Sequence, residues 1–252
     1  AEAMGSANPS TDAEVMSMLL EFFRALGLTS LELQINTLGC PECRPAYREL
    51  LKNEIRKHLG ELCANCNQRY EKNPLRVMDC KVERDREIAA TLPKTKDHVC
   101  DKCRTHFEEV RSMLKITGAP YSISSQLVRG LDYYSRTTFE VTSTGLGAQN
   151  AICGGGRYDS LVEEFEGPST PCFGFAIGME RLVSVLPPEK LKEIESPPDL
   201  FIVRLGEEAK HEGFRVAHML RAEGFRVDND HEDNSSMKSQ MRKANAKGSR
   251  FA

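Results

Sequence analysis

A chain of 252 residues with a formal net charge of −3 is long enough for one large domain or two ordinary ones. The charge lacks the basic excess typical of nucleic-acid-binding proteins, although a local basic patch stays possible. No apolar run reaches the length of a membrane span and no signal peptide is evident, so we expect a cytoplasmic protein without membrane contact.

The first predicted elements are a helix and a strand. Thr11 and Glu14 have capping-box spacing and Gly27 follows as a stop, which predicts a helix over about 12–26. The predicted apolar face of this helix comprises Val15, Met18, Leu19, Phe22 and Leu26. The alternation of residues 31–39 then predicts a strand that ends at a turn.

The composition changes over residues 40–116, which are charged, mostly helical in pattern and contain seven of the nine cysteines. One predicted helix face runs from Tyr47 to Leu59 and another from Phe107 to Leu114. These features predict a helical, cysteine-rich insertion domain. It separates residues 1–39 from residues 117–190, which we expect to form two parts of one sheet-based domain.

The second half of the chain is predicted to contain further strands. Residues 127–141, "LVRGLDYYSRTTFEV", predict a turn followed by a half-buried strand, for which an edge strand with aromatic packing is the ordinary explanation. We interpret "ICGGGRYD" as part of a glycine-rich turn, and "PCFGFAIGMERLVSVL" as a strand that leads into a helix. A linker rich in proline and charge over 188–198 predicts a domain boundary, and a β-α-β pattern fills residues 198–252.

Three short motifs carry a resemblance to a known family: "RGLDYY" at 129–134, "GGGRYD" at 154–159 and "GFAIGMERL" at 174–182. Each alone has an ordinary explanation, as an edge strand, a tight turn or a solvated arginine. In this order and spacing they resemble the two histidine-specific signatures and the class II motif 3 of histidyl-tRNA synthetases. The resemblance covers essentially the whole chain. It implies an α+β fold: a class II synthetase antiparallel-sheet catalytic core with a helical insertion, followed by a partial α/β anticodon-binding domain.

The resemblance also implies a reaction, the ATP-dependent ligation of L-histidine to its tRNA through a histidyl-adenylate, with magnesium accompanying ATP. Negative charge builds on the α-phosphate during activation, so a fixed cation is most valuable there. By resemblance Arg129 is this catalytic residue, which would bridge the histidine carboxylate and ATP. A planar, permanently charged guanidinium suits that task. A surface salt bridge is the alternative explanation of Arg129.

The other site residues follow from the same resemblance. An imidazole is best recognised by one donor and one acceptor, for which Tyr134 and Glu2 are the candidates. The implied histidine-binding residues are Glu2, Tyr133, Tyr134, Gly154 and Gly155. The implied ATP-binding residues are Arg129, Gly156, Arg157, Tyr158, Gly178 and Arg181. A tight turn remains the alternative for the glycines, and a solvated side chain for Arg181.

The cysteines form three C-x-x-C pairs with Cys80 between them. In a cytosolic chain this spacing favours structural zinc over disulfides. The candidate ligands are Cys40, Cys43, Cys63, Cys66, Cys80, Cys100 and Cys103. Four thiolates satisfy one zinc ion, and the spacing leaves the subset open; reduced structural thiols and a redox role are the alternatives. Cys153 and Cys172 are predicted to be small buried residues.

The sequence departs from the family pattern because class II motifs 1 and 2 are not found. We therefore expect a fragment that lacks these motifs and the end of the anticodon-binding domain, while the full-length protein is expected to be a homodimer. Two other functions stay open. One is a catalytically silent synthetase paralogue that acts as a regulatory subunit in histidine biosynthesis, which the intact signatures and the β-α-β pattern disfavour. The other is a non-catalytic fragment that binds zinc or tRNA.

Overall fold

The computed structural model describes residues 1–146, 150–194, 196–232 and 235–252. The chain divides into two compact units, Ala1–Pro187 and Pro188–Ala252, here called unit 1 and unit 2. No helix among the described residues is long and apolar enough to cross a membrane.

Unit 1 is built on a six-stranded sheet in the order β1-β6-β5-β4-β2-β3. Its strands are β1 (Glu2–Met4), β2 (Leu31–Thr37), β3 (Tyr121–Ile123), β4 (Ser135–Ser143), β5 (Ala151–Arg157) and β6 (Cys172–Ile177). Only β2 and β3 pair in parallel, and the other neighbours are antiparallel. The predicted α+β fold with a mostly antiparallel sheet is therefore confirmed.

The helices of unit 1 lie between and around these strands. They are α1 (Pro9–Ala25), α2 (Arg44–Arg56), α3 (Ala64–Lys72), α4 (Glu83–Thr91), α5 (Asp101–Ile116), α6 (Leu161–Glu164) and α7 (Met179–Val185).

Strand β4 is central rather than at an edge, so the alternative explanation of this stretch as an edge strand is wrong. It pairs with β5 on one side and with β2 on the other, and most of its residues are buried. Cross-strand partners share a face of the sheet. Ile35 and Phe139 therefore lie on the apolar face, whereas Gln34 and Glu140 lie on the opposite, polar face.

Helix α1 begins earlier than its sequence pattern predicts, and it buries a different face. Its cap is Asn8, whose side chain accepts a hydrogen bond from the Ser10 N–H at 2.9 Å, and Pro9 suits the first helical position. The predicted face is also wrong, because Met18 and Phe22 are 48% and 45% exposed. The residues that α1 buries are Asp12, Ala13, Met16, Leu19 and Phe23.

The rotation of α1 is explained by a charged contact beneath the sheet. Arg157, which is fully buried in β5, donates from Nε to Asp12 Oδ1 at 3.1 Å and contacts the same carboxylate through Nη2. His106 of α5 lies 2.8 Å from the other Asp12 oxygen. Turning Asp12 inward satisfies a buried guanidinium, a requirement that outweighs the apolar periodicity of the helix.

The helices of the predicted insertion pack in two different places. Helices α2, α3 and α4 share one apolar cluster, which includes Tyr47, Leu51, Ile55, Tyr70 and Ala89. Helix α5 instead packs along α1, with Ser17 Oγ 3.0 Å from Thr117 Oγ1 at one end. The segment 40–116 thus ends in a helix that helps to cover the sheet.

Unit 2 has the predicted β-α-β pattern. Strands β7 (Leu200–Ile202) and β8 (Val227–Asn229) are parallel and are joined through α9 (Gly206–Ala222), and α10 (Met237–Ala246) follows. The predicted linker is in part helical, because α8 covers Pro188–Ile194. Residue 195 of that linker lies outside the described residues.

Candidate functional site

A row of glycines crosses the polar face of the sheet. Gly154 pairs with Glu140 and Ala176, and Gly156 pairs with Gly174, which in turn pairs with Glu2. The interpretation of "GGG" as a turn is wrong, because these residues lie inside β5 with both neighbouring strands in register. A Cβ atom on Gly156 would lie 2.6 Å from Thr137 O and 3.1 Å from Tyr134 Cδ1. Gly156 is therefore a strand residue that leaves room for the neighbouring backbone and for the Tyr134 ring.

Gly155 lies on the other face of the same strand. It pairs with Phe139 and Phe175, and a Cβ atom there would lie 2.8 Å from Phe175 Cα. Its side of the strand faces the core, so only its backbone is available to a ligand on the polar face.

Arg129 lies across this glycine row. Its Nη1 donates to Glu140 Oε1 at 2.9 Å, and its Cζ atom is 5.4 Å from the centre of the Tyr134 ring. A Cβ atom on Gly154 would overlap Nη1, so the guanidinium occupies the space that this glycine leaves. Its Nε is buried without a hydrogen-bond partner among the described residues. Arg129 is thus a fixed cation with unused donor capacity, and its side chain is 21% exposed.

Three tyrosines form an aromatic wall beside the glycine row. The ring centres of Tyr133 and Tyr134 are 4.5 Å apart, and Tyr158 meets the two rings at 5.6 and 6.3 Å. Burial, with a hydrogen bond to Tyr133, raises the pKa of Tyr134 to about 12. Burial also raises the pKa of Tyr158, and its neighbour Glu2 adds to the effect. At neutral pH both hydroxyls keep their proton and can donate it.

Glu2 joins this wall from the first strand. Its carboxylate accepts a hydrogen bond from the Tyr158 hydroxyl. A Cβ atom on Gly174 would overlap that carboxylate, so this glycine is needed for Glu2 to point along the polar face. Arg129 and Glu2 consequently lie over adjacent rows of one sheet, with a cation at one side and an anion at the other.

The remaining predicted residues lie apart from this centre. Arg157 alternates with Tyr158 and therefore points to the opposite face, where its guanidinium is fully engaged with Asp12 and Asp159. Arg181 of α7 is exposed, and its Nη1 donates to the Ala151 carbonyl at 2.7 Å. Gly178 is the residue before α7. The structure thus brings Arg181 to the start of β5 and keeps Arg157 inside the core.

Sequence reasoning missed Glu140, which holds Arg129. Burial raises the pKa of the Glu140 carboxyl, although the Arg129 charge opposes that rise. The alternation along β4 places Glu140 on the same face as Thr138. This alternation could have identified Glu140 from the sequence. Beside Glu140 the sheet borders a cleft lined by Gln34, Asp79, Lys81, Arg86 and Ser124, among others.

Arg44 was missed as well. Its Nη1 donates to the Asp132 carbonyl at 3.1 Å, and its Nη2 donates to the Tyr134 carbonyl. The first residue of α2 therefore holds the backbone of the loop that carries the tyrosines.

The seven candidate ligand cysteines fall into two separate groups. One comprises Cys40, Cys43, Cys100 and Cys103, and the other comprises Cys63, Cys66 and Cys80 together with Asp85. All nine cysteines are free thiols, and Cys153 and Cys172 are buried as predicted.

Comparison with known proteins agrees with this geometry. A family model described as histidyl-tRNA synthetase matches residues 1–182, and a model described as anticodon binding domain matches residues 199–252. The histidine–tRNA ligase of Geobacter metallireducens is 49% identical over 100% of this chain, and that of Caldanaerobacter subterraneus subsp. tengcongensis is 47% identical over 100%. The crystal structure of apo S. aureus histidyl-tRNA synthetase is 34% identical with a TM-score of 0.62, and the match covers 98% of this chain and 61% of that one.

The mostly antiparallel sheet, with Arg129, Glu2 and the tyrosines on its polar face, defines a class II aminoacyl-tRNA synthetase core. The chain belongs to the histidyl-tRNA synthetase family. It spans 60% of the length of each of the two ligases named above. The family resemblance drawn from the three motifs is confirmed.

Proposed function

We propose that this chain supplies the histidine-binding and adenylate-forming part of an ATP-dependent histidine–tRNA ligase. One observation carries the proposal: Arg129 is fixed over Gly154 beside Glu140, on the same sheet face that holds Glu2 and the tyrosines. A ligand with a carboxylate at one end and an imidazole at the other matches this arrangement of charges.

Recognition of histidine follows from the chemistry of the imidazole. A neutral ring has one N–H donor and one acceptor nitrogen. The Glu2 carboxylate accepts from the first, and the protonated Tyr134 hydroxyl donates to the second. Tyr133 supports the Tyr134 ring, and the backbones of Gly154 and Gly155 form the floor. Analogues without these hydrogen-bonding groups leave buried polar atoms unpaired and are rejected.

Activation of histidine uses Arg129. The histidine carboxylate attacks the α-phosphate of ATP and pyrophosphate leaves, so negative charge grows where the guanidinium can reach both reactants. Glu140 holds Nη1 and thereby fixes the guanidinium, and Nη2 donates to ligand oxygens. Magnesium accompanies ATP and neutralises charge on its phosphates.

The proposal also assigns residues to ATP binding. Gly156, Tyr158, Gly178 and Arg181 are proposed to contact ATP. Arg157 is left out, because its guanidinium is buried on the opposite face. The helical segment 40–116 holds structural zinc, unit 2 takes part in binding histidine tRNA, and the full-length protein is a homodimer in the cytoplasm.

Calorimetric titration of the folded chain tests the histidine site. L-Histidine is expected to bind saturably at one site per chain, whereas histamine, which lacks the carboxylate that Arg129 contacts, and L-tyrosine are expected to bind far more weakly. Glu2→Gln is expected to weaken histidine binding, and the exposed Glu32→Gln serves as its matched control. A folded chain without any affinity for histidine would contradict the proposal that these residues form the pocket.

Gly154→Ala is expected to weaken histidine binding by displacing Arg129. A charge-assisted hydrogen bond contributes about 1.5–3 kcal/mol, so its loss corresponds to about 10- to 100-fold in affinity. Gly60→Ala is the matched control, since a Cβ atom there meets nothing within 4 Å. Equal affinities of the two variants would show that Gly154 does not position the cation.

A further inference from the structure

We propose that Cys40, Cys43, Cys100 and Cys103 bind one zinc ion through four thiolates. The Cys40 sulfur lies 3.7 Å from that of Cys43 and 3.8 Å from that of Cys100, and the sulfurs of Cys43 and Cys103 are 4.0 Å apart. All four sulfurs lie within 4.8 Å of one another. A tetrahedral zinc ion with Zn–S bonds of about 2.3 Å requires sulfur–sulfur edges of about 3.8 Å.

The backbone around the first pair is shaped for metal ligation. The Cys40 N–H donates to the Cys43 sulfur at 3.2 Å, a bond that favours a thiolate. Gly39 adopts φ +70°, and a Cβ atom there would lie 2.8 Å from the same sulfur. The turn after β2 therefore needs a glycine to bring both thiols to one point.

The second pair comes from a distant part of the chain. Cys100 caps α5 and Cys103 lies in its first turn, 60 residues after the first pair. Among the described residues, the apolar cluster at this junction has only Val99 as a buried member besides the cysteines. So small a cluster buries little surface, and a metal ion is a direct way to join the end of β2 to the start of α5.

A separate observation carries a second centre, formed by Cys63, Cys66, Cys80 and Asp85. Asp85 is 1% exposed, and its oxygens accept from the Cys63 N–H, at 3.1 and 3.3 Å, and from the Cys80 thiol, at 3.2 Å, with the thiols of Cys63 and Cys66 also beside it. No lysine or arginine among the described residues pairs with Asp85. A buried carboxylate without a cation is costly, and three thiols beside it complete a tetrahedral ligand set. We infer that this set holds a second zinc ion.

The first centre has a consequence for the histidine site. Arg44 directly follows Cys43, and it donates to the carbonyls of Asp132 and Tyr134. A metal ion that fixes Cys43 therefore fixes Arg44, and through it the loop that carries the tyrosines. This consequence depends on the proposed function, whereas the metal content does not.

Metal analysis by native mass spectrometry, on chain purified under reducing conditions with zinc, tests both centres. Two zinc ions per chain are expected. Cys100→Ser/Cys103→Ser is expected to lose one, Cys63→Ser/Cys66→Ser to lose the other, and the buried Cys153→Ala, outside both groups, to keep two. If the variants fail to fold, cobalt titration of the unmodified chain tests the same two centres. Tetrahedral cobalt–thiolate centres give intense charge-transfer absorption, and the chain is expected to take up two equivalents of cobalt.

The possible results separate the two centres. A folded chain with no bound zinc and all thiols free would overturn both. A single zinc ion that is lost only in the Cys63/Cys66 variant would overturn the first centre, and one lost only in the Cys100/Cys103 variant would overturn the second. In a chain that binds histidine, loss of the first zinc ion is expected to weaken that binding. Failure to bind histidine would contradict the proposed function without changing the zinc count.

Discussion

Arg129→Ala is expected to lower the rate of histidyl-adenylate formation by about 10²–10³-fold, as removal of one fixed donor from a developing anion does in other enzymes. The test requires a protein of the relatives' full length that carries this sequence, with ATP–pyrophosphate exchange as the measurement. The reason is geometric: Arg129 is held at Nη1 by Glu140, and it lies on the open polar face of the sheet.

The fold should tolerate this substitution. Burial raises the pKa of Glu140 and the Arg129 charge opposes that rise, so removing the cation raises the pKa further and lessens the cost of leaving this carboxyl unpaired. The thermal midpoint is expected to change little, and Arg24→Ala, at the exposed end of α1, is the matched control for removing an arginine. Arg129→Lys keeps the charge but loses the fork, and it should recover only part of the rate. A near-normal rate of ATP–pyrophosphate exchange in Arg129→Ala would show that Arg129 is not a catalytic residue.

Asp12→Ala is expected to lower the free energy of unfolding of unit 1 by about 3–5 kcal/mol. The substitution leaves the buried Arg157 guanidinium without its main counter-charge, and an arginine does not lose its proton to compensate. It also removes the hydrogen-bond partner of His106. Urea denaturation followed by circular dichroism measures the change.

Asp159→Asn is the control for this prediction. Asp159 also accepts from Arg157, at 3.0 Å, but its side chain is 27% exposed and its loss is expected to cost only about 1 kcal/mol. If Asp12→Ala were no more destabilising than this control, the buried pair would not be what sets the rotation of α1.

The parts of the site that sequence could predict were those carried by local motifs. Arg129, Tyr134 and the strand β4 follow from one continuous stretch, and the structure places the first two beside each other. The C-x-x-C spacing likewise indicated candidate metal ligands, and metal binding stays a prediction. The spacing could not pair Cys40 with Cys100, because a separation of 60 residues is bridged by the fold alone.

Long-range contacts explain what sequence reasoning got wrong. The face of α1 depends on Arg157, which follows 145 residues later than Asp12, so helical periodicity alone chose the wrong side. The glycines of β5 have low strand propensity and were interpreted as a turn. Recognising that strand would also have placed Arg157 and Tyr158 on opposite faces, and Arg157 would not have been a candidate ATP ligand.

The most direct test of the central claim is a crystal structure of this chain with L-histidine bound. We expect the imidazole to contact Glu2 and Tyr134, and the carboxylate to lie against Arg129 over the backbone of Gly154. Histidine bound elsewhere, or bound on this face with its carboxylate turned away from Arg129, would contradict the account.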